Sequence, residues 1–149
     1  MRTDQQGIAW KDCYRLGDEK VDGQHRMIFE LLSGLISSCL DGSSEETLKA
    51  ALDFLVNYTV QHFYDEESLQ VQYNFPEYRN HKRLHEDFKA SVIGIVDKFG
   101  KEGSSAELSG DLSKIVVRWL VTHVTREDKK VGEFIREKER RLTPYANAS

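Results

Sequence analysis

Apolar residues return every third or fourth position through four long stretches of the chain, the period of a helix with one buried side. The first stretch begins near Asp22, carries Ile28, Phe29, Leu31, Leu32, Leu35 and Ile36, and stops at Asp41-Gly42. Ser43, with Glu46 three residues on, has the form of a capping box for a second helix. Leu48, Leu52, Leu55, Val56 and Tyr58 give that helix its apolar side, and it is expected to run to about Tyr73. Asn74-Phe75-Pro76 breaks the pattern, since proline suits a helix's first turn, where no N–H is needed. A third helix is predicted from Pro76 to about Phe99, with Leu84, Phe88, Val92, Ile95 and Val96 inward. Gly100 to Ser104 reads as a loop. Ser104 and Glu107 repeat the capping-box form ahead of a fourth helix reaching about Arg141. Leu112, Ile115, Val116, Trp119, Val124, Val131, Phe134 and Ile135 stripe it.

Four long helices on short turns pack most simply as an all-α, antiparallel up-down four-helix bundle. The segment ahead of the first helix has no helical period. Its Trp10, Tyr14 and Leu16 are large enough to pack as an N-terminal arm, taken as residues 1–21. Residues 142–149 read as a C-terminal tail or a linker. No internal repeat or low-complexity tract is visible, and 149 residues suit one domain spanning 1–149 with a core that needs no staples.

A net charge of −4 and a pI near 5.7 leave no basic stripe to meet phosphates, so nucleic acid is not an expected partner. No apolar run approaches the ~20 residues that span a bilayer, and Met1 to Gln6 lack the apolar stretch of a secretory signal. The expectation is no membrane partner and a cytoplasmic protein. Cys13 and Cys39 are too few and too far apart for a disulfide framework or a CxxC pair, and are read as reduced thiols.

The five histidines change the picture. His25 stands alone, His62 has Glu66 four residues on, His81 has His85 four on, and His123 has Asp128 five on. A spacing of four sets two side chains one turn apart on one helix face, where they can serve one metal ion or a metal pair. Taken singly, a lone helical histidine or one His-x-x-x-Glu pair is more often capping, core or surface. Taken together, five imidazoles and two carboxylates exceed the needs of one ion and suit two. In an up-down bundle, early positions on odd helices and late positions on even ones share a level. His25, His62, His81 and His85 do so, and His123 joins them if the fourth helix overruns the bundle at its C-terminal end. Glu67 and Glu127 compete with their neighbours for the inward position, and the spacing from His62 favours Glu66. Five residues turn an ideal helix by ~140° against ~40° for four. Asp128 therefore faces the cluster only if the helix widens locally, as a π-bulge does.

Trp10 and Gly17 precede Asp22-Gly23-Gln24-His25; His62-Phe63-Tyr64-Asp65-Glu66-Glu67 precedes Tyr73, Pro76, His81 and His85; Trp119-Leu120-Val121-Thr122-His123 precedes Asp128-Lys129. In these runs the chain resembles the hemerythrin family over nearly its whole length. The resemblance implies a non-haem di-iron centre, two Fe ions with an oxo or hydroxo bridge. It implies that His81, His85 and His123 bind a coordinatively full iron, that His25 and His62 bind an iron with an open position, and that Glu66 and Asp128 bridge the two. It further implies reversible binding of O2 as a hydroperoxide at the open position, in a pocket walled by Ile28, Phe63, Trp119, Leu120 and Val124. That is the chemistry of a carrier, store or scavenger rather than of an enzyme.

Di-iron oxidation sites in ferritin-like bundles use mostly carboxylates. Anionic donors stabilise high-valent iron, whereas five neutral imidazoles favour binding over O–O cleavage. The donor set alone does not select iron, because affinity rises toward copper; the resemblance does. Gln70 stands where a methionine is common in such chains, and Val131 where a larger residue is expected; neither is a ligand. Two alternatives stay open. One is a sensor of O2, redox state or nitric oxide joined to a signalling output domain, suggested by the charged run Glu133 to Arg141. The other is a ferroxidase or peroxidase.

Overall fold

A computed structural model of the chain describes residues 10–115 and 119–142. Residues 1–9, 116–118 and 143–149 lie outside the described set, and with them the start of the expected arm, the expected core position Val116 and the expected tail or linker from residue 143 on.

Helix α1 (Glu19–Leu40) opens earlier than its hydrophobic period suggests. Asp18 caps it, its Oδ1 accepting from Val21 N at 2.9 Å. Asp22 instead turns back onto the arm and accepts from Leu16 N at 2.7 Å and Gly17 N at 3.1 Å. Helix α2 (Glu45–Gln72) is capped by Ser44, one residue later than expected, with Ser44 Oγ accepting from Thr47 N at 3.2 Å. Ser43 is not available as a cap because it closes the previous helix: its N–H donates to Ser38 O at 3.1 Å across Gly42, φ +75°, a Schellman ending.

Helix α3 (Tyr78–Glu102) begins two residues past Pro76 and runs through Gly100, so the expected loop shrinks to Gly103-Ser104. Gly103, φ +63°, closes the helix with its N–H on Phe99 O at 2.8 Å. A Cβ there would collide with the Glu45 carboxylate. Helix α4 (Ser105–Ile115) has half of its expected capping box. Ser104 Oγ accepts from Glu107 N at 3.3 Å, while the Glu107 carboxylate reaches Lys98 on α3 instead. The fourth path then passes through a π-helical segment, His123–Asp128, into α5 (Lys129–Leu142).

Helix α1 packs on α2 and α4, α2 on α3, and α3 on α4, the cyclic order of an up-down helical bundle. No strand occurs among the described residues. Ile28, Phe29, Leu32, Leu35, Leu48, Leu52 and Leu112 fill the centre. Helix α5 overruns this core and grips the turn between α2 and α3: Tyr73 Oη donates to Glu139 Oε1 at 2.7 Å, and Phe134 meets Phe75 edge-on at 5.5 Å. The described part of the arm does pack, with Trp10 against Tyr14 and Phe29 at ring distances of 5.6 and 6.0 Å. It crosses α5 closely at Gly132, where a Cβ would come within 2.9 Å of Leu16 O. Among the described residues no helix is long and apolar enough to cross a membrane.

Candidate metal centre

Each of the four helical paths brings at least one polar side chain to a single level at the end of the apolar core. His25 lies two turns into α1, His62 and Glu66 late in α2, and His81 and His85 in the first turns of α3. His123 and Asp128 stand at the two ends of the π-helical segment. That segment settles the five-residue spacing. The wider turn brings Asp128 to 1% exposure, 3.0 Å from His123 Nε2, while Glu127 turns outward to Lys130 at 3.5 Å. All seven side chains are buried, none more than 4% exposed.

Their donor atoms converge. His81 Nε2 lies 2.7 Å from Glu66 Oε1 and 2.9 Å from Asp128 Oδ1. His123 Nε2 is 3.1 Å from both His85 Nε2 and His81 Nε2. On the other side, His62 Nε2 is 3.1 Å and His25 Nε2 3.4 Å from Glu66 Oε2, and His25 Nε2 is 3.0 Å from Asp128 Oδ2. Two groups, Glu66 with His81, His85, His123 and Asp128, and Glu66 with His25 and His62, each offer ligand atoms within 4.8 Å of one another. Glu66 belongs to both, one oxygen turned to each.

Internal hydrogen bonding does not explain this arrangement. Both nitrogens of His25, Glu66 Oε2 and Asp128 Oδ1 are buried without a hydrogen-bond partner, and a buried orphan of this kind is costly. Imidazole nitrogens facing each other at 3.1 Å share at most one proton, but their lone pairs can serve one cation. The donors present therefore fit metal: five imidazoles and two carboxylates around two points, in a buried site.

Outer contacts orient the rings. His62 Nδ1 lies 2.8 Å from Gln24 Oε1, and Gln24 Nε2 donates to Asp65 Oδ2 at 2.7 Å. Asp65 is held in turn by Gln61 at 3.0 Å and Lys20 at 3.6 Å. His85 Nδ1 lies 2.8 Å from Glu67 Oε2. The rings of His62 and His85 thus have their second nitrogen engaged, which leaves their Nε2 atoms to face the cluster. Phe63 stacks on His85 with centroids 3.9 Å apart, and Trp119 on His123 at 4.2 Å. Gln24 and Glu67 were not singled out from the sequence as orienting residues; the available signal was that each directly adjoins a candidate ligand on its helix. Of the apolar residues expected to wall a pocket, Ile28, Phe63, Leu120 and Val124 are buried and Trp119 is partly so. Gln70, also buried, places Nε2 3.5 Å from Glu66 Oε1.

The electrostatics follow from two buried anions. Burial pushes the His25 and His81 imidazoles down, but the Asp128 and Glu66 carboxylates outweigh it and lift both to about 10. His85 is raised likewise, burial being outweighed by Glu66 and Glu67. Burial holds His62 below its ordinary value, with the His25 charge adding to it. Burial would raise Glu66, and the surrounding imidazoles instead hold it well below the carboxylate range. Burial and the Glu66 charge push Asp128 up, and His123 and His25 overcome both. The carboxylates stay ionised, so the site requires compensating positive charge, from protons or from metal.

Comparison with known proteins agrees with this chemistry. The family model described as hemerythrin HHE cation binding domain matches residues 16–135. The chain is 28% identical to a bacteriohemerythrin of Stenotrophomonas maltophilia over 129 residues, covering 87% of this chain and 82% of that one. It is 31% identical to a bacteriohemerythrin of Methylococcus capsulatus over 111 residues, 74% of this chain and 82% of the other. A myohemerythrin of Riftia pachyptila is 29% identical over 122 residues, 82% of this chain and 88% of its own.

Proposed function

Since the chain belongs to the hemerythrin family, we propose that it is a non-haem di-iron protein that binds O2 reversibly, as a carrier, store or scavenger. The observation that carries this reading is the pair of ligand groups sharing Glu66. His81, His85 and His123 would hold one iron, His25 and His62 the other, with Glu66 and Asp128 between them. When bound, the iron pair supplies the two electrons that O2 binding draws on.

This chain's residues do the rest. The unequal split of imidazoles, three against two, would leave one iron short of a protein ligand and so open to a small molecule. Gln24 and Glu67 fix the rings of His62 and His85 and keep Nε2 aimed inward. Ile28, Phe63, Trp119, Leu120 and Val124 would exclude water from the open side, protecting the bound molecule from protonation and loss. A binder rather than an enzyme is favoured by a donor set dominated by neutral imidazoles. Cys13 and Cys39, both unpaired, suit a reducing cytoplasm.

Optical spectroscopy tests the proposal. The protein reduced under argon should be nearly colourless, develop a charge-transfer band in air, and lose it again on removal of O2. Irreversible oxidation on first exposure, or continued O2 consumption with a reductant and no stable band, would overturn it in favour of an oxidase or peroxidase.

A further inference from the structure

Gln70 lies one helical turn past Glu66 on the same face of α2 and is completely buried. Its amide Nε2 donates to Glu66 Oε1 at 3.5 Å, while its own Oε1 is buried with no hydrogen-bond partner among the described residues. Closing the helix does not need this side chain. The turn after α2 is held by backbone, with Phe75 N donating to Gln70 O at 2.9 Å. Burying an amide oxygen without a partner is unfavourable, and a methionine or leucine would fill similar space without that penalty. An amide kept here against its own folding cost points to a task at the carboxylate it faces.

Glu66 turns its two oxygens to different imidazoles. Oε1 lies 2.7 Å from His81 Nε2 and 3.4 Å from His85 Nε2. Oε2 lies 3.1 Å from His62 Nε2 and 3.4 Å from His25 Nε2. The amide of Gln70 therefore acts on one oxygen, the one on the side assigned to the coordinatively full iron. An N–H aimed at an anion draws charge from the oxygen it faces. In a buried site the low local dielectric lets the amide dipole act at 3.5 Å more strongly than it would in water. An oxygen carrying less charge loses more affinity for Fe(III) than for Fe(II).

We propose that Gln70 is a positioning residue that works through Glu66: its amide weakens the carboxylate's hold on ferric iron, raises the potential of the iron pair and slows its irreversible oxidation. The proposal rests on the di-iron reading above. In the step that Gln70 restrains, each ferrous ion gives up one electron. O2 takes both, with two protons from solvent, and leaves as hydrogen peroxide.

The test uses the iron-loaded chain as wild type, Gln70→Met and Gln70→Leu. Both substitutions remove the donor, but one keeps the length of the side chain and the other does not, so a shift common to both reports the lost amide rather than altered packing. Anaerobic spectroelectrochemical titration should give both variants a lower midpoint potential than wild type. In air both should convert to the diferric form several-fold faster, with two irons still bound. The metal-free variants should melt at or above the wild-type temperature, because the unpartnered oxygen is gone. Wild-type potentials and oxidation rates in both variants, or shifts of opposite sign between them, overturn the proposal. A lower melting temperature with unchanged potential shows a packing role and overturns it as well. A wild-type chain that loads no iron refutes the di-iron reading and this proposal together, whereas two bound irons with unshifted variants refute this proposal alone.

Discussion

His62 Nδ1 and Gln24 Oε1, 38 residues apart in the chain, meet at 2.8 Å between helices α2 and α1. The contact fixes the tautomer: Nδ1 carries the proton and donates to the amide oxygen, so Nε2 presents its lone pair to the cluster. Asp65 holds the amide from the other side at 2.7 Å. Gln24→Leu removes the acceptor while keeping much of the volume. Loss of such an outer partner typically weakens metal binding by ~10–100-fold. Chelator competition on the iron-loaded protein should show one of two irons released far more readily, the other unchanged. Equal retention of both would mean that Gln24 does not orient His62.

The π-helical turn predicts a contrast between neighbours. Asp128 is buried among His25, His81 and His123, whereas Glu127 faces Lys130. Asp128→Ala should sharply lower iron content, and Glu127→Ala should leave iron content and spectrum intact. Elemental analysis of the two purified variants decides it, and the reverse pattern would show that the helix does not widen there.

Metal removal should make stability depend on alkaline pH. Without metal, protons on His25 and His81 compensate Glu66 and Asp128, and both folded-state values rise to about 10 from an ordinary ~6.5. A raised value means that the stabilisation is fully present below about 6.5 and is lost as pH climbs through about 10. The metal-free protein should therefore melt at progressively lower temperature between pH 6.5 and 10. The loaded protein should not, since its imidazoles are held neutral by metal. Loading at neutral pH should also release protons, measurable by calorimetry in buffers of different ionisation enthalpy.

Gly132 reports on the arm. With Leu16 O 2.9 Å from where a Cβ would sit, Gly132→Val must push backbone away, at a cost of about 1–3 kcal/mol for an overpacked contact. Thermal denaturation should show a melting temperature lower by several degrees. An unchanged melting temperature would mean that the arm yields freely and contributes little to the fold.

The main lines of this molecule were legible in the residue pattern because helical period and histidine level are both properties of spacing. Four apolar stripes specify the bundle, and their level along it brings His25, His62, His81 and His85 together. The π-helical turn was legible only as a necessity of the interval between His123 and Asp128. What escaped notice depended on partners distant in sequence. Asp22 looked like a helix start, but its carboxylate serves the arm at Leu16 and Gly17, leaving the cap to Asp18. Ser43 looked like a cap, but its N–H is committed to Ser38. Gly100 looked like a loop, yet a helical glycine costs only ~1 kcal/mol, and burial of the neighbouring Phe99 outweighs that. The bond between His62 and Gln24 arises from how helices face each other, which no single helix's period encodes.

Anomalous scattering at the iron absorption edge, from crystals of the purified loaded protein, tests the central claim most directly. Two iron peaks are expected, one bonded to His25 and His62 and the other to His81, His85 and His123, with Glu66 and Asp128 contacting both. A single peak, peaks elsewhere, or none in a chain that is correctly folded would contradict it.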